Sequence, residues 1–81
     1  MTNKEFMEKI YAPYNEAWKI MKLAQHCRKR GTDEQNDLFY KEVNRLSKAY
    51  PGNAYIHNLC MALLEAWEYI LEENSKDEVH T

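Results

Sequence analysis

Glycine and proline are scarce in this chain, with two of each among 81 residues. Folds rich in strands and tight turns draw heavily on both, glycine for positive φ and proline for a preset φ. β content is therefore expected to be near zero. Cysteine is as scarce: Cys27 and Cys60 allow one disulfide at most, not the dense framework of small secreted domains. No apolar run approaches the ~20 residues of a membrane span. Met1 to Ile10 interleaves Lys4, Glu5, Glu8 and Lys9 and lacks a signal core. Nor is there a large excess of one charge. A net charge of −2 gives no bulk attraction to nucleic acid or anionic lipid. These absences predict one small, slightly acidic, cytoplasmic domain with reduced thiols, away from the membrane.

Aromatic side chains and helical periodicity are what the sequence does have. Thr2 and Glu5 have capping-box spacing at the start of a first helix. Phe6, Ile10, Tyr14, Ala17, Met21 and Ala24 then recur every three or four residues and define its expected buried face. Pro13 removes one helical hydrogen bond and crowds the Lys9 carbonyl, which predicts a kink there. Lys29, Arg30 and Gly31 suit the end of this helix, near residue 30. Thr32 and Gln35 repeat the capping box for a second helix, 33–49, with Phe39, Val43, Leu46 and Tyr50 as its stripe. Pro51 and Gly52 stop it, and Asn53 is a good N-cap for a third. There Ile56, Leu59, Leu63, Ala66 and Ile70 form a stripe that Cys60, Leu64, Trp67 and Leu71 widen to roughly 160° of arc. A surface helix needs about 100°, so the third helix is expected to be packed on more than one side. The expected fold is all-α: a three-helix up-down-up bundle kinked at Pro13. Its single domain spans 1–73, with helices at about 3–30, 33–49 and 54–73 and a polar, disordered tail at 74–81.

Asp33 to Asn53, ending Tyr50-Pro51-Gly52-Asn53, resembles the second helix and turn of a tetratricopeptide repeat, and Glu16-Ala17-Trp18 resembles the opening of its first. The distance from Trp18 to Pro51 is several residues longer than that repeat's. One unit is also fewer than the three or so such repeats need to bury a core. The pattern is taken as general helix-hairpin grammar, and no family is assigned.

Candidate chemistry is thin. His26–Cys27 and His57–Cys60 suggest a zinc site, but adjacent helical residues point about 100° apart and chelate poorly together. Cys60 falls within the apolar arc, where a thiol acts as a small hydrophobe. Cys27 has basic neighbours but no oxyanion hole or pocket beside it in the sequence. Glu65, Glu68 and Glu72 share one side of the third helix, opposite the apolar arc, without the Glu-x-x-His pairs of a di-iron set. No enzyme, metal or cofactor is expected.

Charge is unevenly spread. Lys19, Lys22, Arg28, Lys29 and Arg30 form a basic stretch without an acid, whereas Glu65 to Glu78 contains six acids against Lys76 alone. The basic stretch fits phosphate contacts, but the third helix has no cation before Lys76 with which to read bases. Nucleic acid is thus a secondary expectation. The leading one is a non-enzymatic protein–protein interaction module that forms a homodimer. Its docking side chains are expected to be Tyr11, Trp18, Tyr55 and Trp67, the last with a place in the core as its alternative, since Tyr and Trp are enriched in interface cores. A small acidic inhibitor of another protein is the further alternative.

Overall fold

The computed structural model describes residues 1–25 and 31–79, with side chains through Lys76. Among these residues it is all-helical and holds no strand. The first helix has three consecutive pieces: α1 (Asn3–Phe6), a π-helical segment (Met7–Tyr11) and α2 (Ala12–Lys22). Two helices follow, α3 (Asp33–Ala49) and α4 (Ala54–Val79).

Local chemistry sets the boundaries. Thr2 caps α1 reciprocally: the Glu5 N–H donates to Thr2 Oγ1 at 3.1 Å and the Thr2 N–H to Glu5 Oε1 at 3.4 Å. Thr32 and Gln35 repeat this at α3, at 3.1 and 2.8 Å. Asn53 Oδ1 accepts from the Tyr55 N–H at 3.1 Å at the head of α4. Gly52, at φ +75°, makes the left-handed turn between α3 and α4, where a side chain would strain the backbone.

Two ends differ from expectation. The first α-helix ends at Lys22 and tightens into i→i+3 hydrogen bonds at Leu23, Ala24 and Gln25, a common finish that satisfies the last carbonyls. The rest of the expected helix, to residue 30, lies outside the described residues. Conversely, α4 runs to Val79 and does not give way to a tail at 74. No glycine or proline follows Glu73 to stop it. Ser75 donates to the Leu71 carbonyl at 2.9 Å, and Lys76 pairs with Glu73 at 3.0 Å.

Three apolar seams meet in the core, each with spacings of four, three and four: Pro13, Ala17, Ile20 and Ala24; Phe39, Val43, Leu46 and Tyr50; Ile56, Cys60, Leu63 and Trp67. All are buried except Tyr50, which is half-buried. This is the repeat that lets neighbouring helices interlock side chains. Asn36 bonds Trp67 and Val43 bonds Cys60, so α3 and α4 run in opposite directions. Glu16 pairs with Arg45, and Leu23 shares a groove with Leu38, so α2 and α3 do likewise.

The buried face of the first helix matches expectation only in part: Ala17 and Ala24 are buried and Met21 packs against the core. Phe6 and Tyr14 are about half exposed, while Pro13 and Ile20 are buried. The π segment explains the shift. The Ala12 N–H bonds the Met7 carbonyl five residues back, which adds a residue to that turn and changes the helical phase ahead of Pro13. Proline has no N–H to offer the Lys9 carbonyl. The Tyr55 hydroxyl donates to it instead, at 3.2 Å. Backbone packing joins α2, α3 and α4 pairwise, while the backbones of α1 and the π segment approach only the pieces next to them in the chain, and the Tyr55 side chain reaches across to the π segment. Asn3 to Tyr11 thus projects beyond the bundle, and the molecule is a rod of 53 × 19 × 18 Å.

Candidate protein-interaction face

The projecting helix continues into α2 with large side chains on its outer side. Phe6 is 49% exposed, Met7 50%, Tyr11 53%, Tyr14 53% and Trp18 61%. Their cause is local: α3 and α4 cover only the side of the first helix bearing Pro13, Ala17, Ile20 and Ala24. Trp18 is followed at i+4 by Lys22, whose ammonium sits 5.8 Å from its ring centroid. Such a contact orients an exposed indole without burying it.

Of the four side chains expected to dock a partner, Tyr11 and Trp18 lie on this face. Tyr55 borders it. It is half-buried, with its ring 5.8 Å from that of Tyr14 and its hydroxyl on Lys9. Burial, then the neighbouring Tyr14 and Tyr50, push its hydroxyl above the ordinary value of 10.0. Trp67 does not belong to the face, and the expectation is corrected. It is wholly buried, stacked on Phe39 at 4.4 Å, with Nε1 donating to Asn36 Oδ1 at 2.7 Å. The third helix is flanked by both others at that level, so its widest apolar residue fills the core. Phe6 and Tyr14 join the face although their spacing placed them inside. The signal that could have found them is Pro13, where phase is easily lost.

The basic stretch is only partly described. Lys19 pairs with Glu16 at 3.7 Å and Lys22 lies over Trp18. Arg28, Lys29 and Arg30 lie outside the described residues, as do His26 and Cys27. Cys60 is buried, its thiol donates to the Val43 carbonyl at 3.7 Å, and burial pushes its pKa up. That environment disfavours the nucleophilic thiolate. His57 is exposed, and Glu65, Glu68 and Glu72 face solvent. Among the described residues, no three His, Cys, Asp or Glu side chains converge as metal ligands. No described helix is long and apolar enough to cross a membrane.

A groove of about 310 Å³ lies between α2 and α3, with Ile20, Leu23 and Leu38 along it. Glu16, Arg45 and Glu42 form a rim network, with Arg45 bonding Glu42 at 2.8 Å and Glu16 at 3.2 Å. Comparison with protein-family models, with curated proteins and with solved structures found no match.

Proposed function

We propose that this chain is a non-enzymatic protein–protein interaction module that self-associates as a homodimer through the outer face of its first helix. The observation that carries this is the run of half-exposed Phe6, Met7, Tyr11, Tyr14 and Trp18 on one helix that projects from the bundle.

Sedimentation equilibrium across a wide concentration range tests this. The wild-type mass should rise toward twice 9.7 kDa. A Tyr11→Ala/Trp18→Ala double variant should remain a monomer with unchanged helicity. A wild-type chain that stays monomeric at the highest concentration refutes self-association.

A further inference from the structure

In the π segment the Ala12 N–H reaches back to the Met7 carbonyl, where an α-turn would take it to Glu8. The turn absorbs one extra residue, so the chain before it is rotated by about 100° relative to α2. Phe6 and Met7 feel this most. With one position absorbed, Phe6 comes within about 20° of Trp18 round the axis. In an unbroken α-helix Phe6 would instead lie about 120° from Trp18 and within about 20° of Ala17, on the buried side. Met7 would then stand in line with Trp18.

Two groups favour the π turn. Pro13 has no N–H for the Lys9 carbonyl, and in an α-turn its ring crowds that carbonyl. Tyr55, in the first turn of α4, donates its hydroxyl to the same oxygen at 3.2 Å, with its ring 5.8 Å from that of Tyr14. The side-chain bonds of the projecting arm otherwise stay within it: Thr2 with Glu5, and Glu5 with Lys9. Its backbone packs on neither α3 nor α4. Among the described residues, one hydrogen bond therefore ties the arm's register to the bundle.

We propose that Met7–Tyr11 is a register switch latched by the Tyr55 hydroxyl. Latched, the π turn sets Phe6 on the side of Tyr14 and Trp18. Released, the segment returns to α geometry, Phe6 turns toward the side of Ala17, and Met7 takes the place it leaves. A hydroxyl on α4 thus decides which apolar side chain the arm presents beside Trp18. The switch lies within one chain, so it stands or falls separately from self-association.

NMR scalar couplings across hydrogen bonds test it, because they identify the carbonyl that accepts from Ala12. In the wild type that N–H should couple to Met7. Tyr55→Phe should shift the balance toward Glu8 by roughly two- to tenfold, the equivalent of one hydrogen bond. Pro13→Ala supplies the missing N–H and relieves the crowding, and should shift it by roughly a hundredfold. Pro13→Ala/Tyr55→Phe should lose the Met7 coupling altogether. The Trp67 indole N–H, bonded to Asn36, reports in each spectrum that the bundle is intact. A wild type coupled to Glu8, or a Met7 coupling that persists in the double variant, overturns the switch. Tyr55→Phe without effect in either the wild-type or the Pro13→Ala background overturns the latch. Loss of helical chemical shifts from residues 3–11 in the double variant also overturns the proposal, since the hydroxyl would then support the helix itself and not its register.

Discussion

Trp67 and Trp18 lie on different helices and have opposite fates. Around Trp67, α3 and α4 close on each other and α2 covers them, so an indole stacked on Phe39 is removed from water completely. Around Trp18, the first helix has neighbours on one side only, and the ring stays 61% exposed beside Lys22. The body of the bundle uses apolar surface to fold. The projecting first helix leaves Phe6, Met7, Tyr11, Tyr14 and Trp18 about half exposed or more. The difference teaches that an apolar stripe marks a contact without saying whether the contact is made within the chain or beyond it.

Truncating the two tryptophans gives the largest separation. Trp67→Ala should cost about 3–5 kcal/mol, from lost burial, a cavity and the lost hydrogen bond to Asn36, enough to unfold a domain this small. Trp18→Ala should change chemical-denaturation stability of the monomer by no more than about 0.5 kcal/mol, the usual range for surface positions. Its effect should appear in the sedimentation mass instead. If both truncations proved equally destabilising, the division into folding surface and docking surface would fail.

Tyr55 joins the two regions, and Tyr55→Phe sharpens the comparison. The variant keeps the ring and removes the hydroxyl that occupies the Lys9 carbonyl. A bond of this kind contributes about 0.5–1.5 kcal/mol. Amide exchange should quicken most between Phe6 and Ala12, where the π segment loses its tie to α4. Alkaline pH gives an independent reading. The folded pKa of Tyr55 is raised, so its contribution is complete below the ordinary value of 10.0 and is lost as pH climbs through the folded value. Stability of the wild type should therefore fall more steeply above pH 10 than that of Tyr55→Phe.

How much of this was legible beforehand follows from the local signals. Both capping boxes, the Gly52 turn and the Phe39–Val43–Leu46 seam were readable because each depends on residues within one or two turns of each other. The buried side of the first helix was legible only at Ala17, Ala24 and, in part, Met21. Elsewhere Phe6 and Tyr14 competed with Pro13 and Ile20, and the spacing favoured the wrong pair. The choice fell to Pro13 and to a π turn stabilised by Tyr55, 46 positions away from Lys9. Trp67 was ambiguous for the same reason: an arc of roughly 160° on α4 shows only that much is buried, not which residue lies deepest. The extent of α4 past Glu73 was missed because polar composition was read as disorder, although nothing in those residues breaks a helix. The exposure of Tyr11 and Trp18 was legible because they lay to one flank of any stripe that could be drawn.

The smallest effect discriminates most finely, because the same motif occurs in both regions. Thr2 and Thr32 cap their helices with matching geometry, each accepting at 3.1 Å from the N–H three residues on. Losing such a cap to alanine costs about 1 kcal/mol when the helix it starts is part of the cooperative fold. Thr32→Ala should therefore lower global stability by about that amount, since α3 supplies Phe39, Val43 and Leu46 to the core. Thr2 starts α1, which has no buried residue and whose backbone packs on neither α3 nor α4. Opening of a segment without tertiary contacts is decoupled from global unfolding. Thr2→Ala should leave the denaturation midpoint of the monomer unchanged and accelerate amide exchange only in the first two turns. If the chain pairs through the outer face of its first helix, as proposed, the outcome differs there: α1 carries Phe6 of that face, so fraying it should weaken association by up to about fivefold, the equivalent of a cap's free energy. A Thr2→Ala variant that lost as much stability as Thr32→Ala while monomeric would mean that the projecting helix is already part of the folded core.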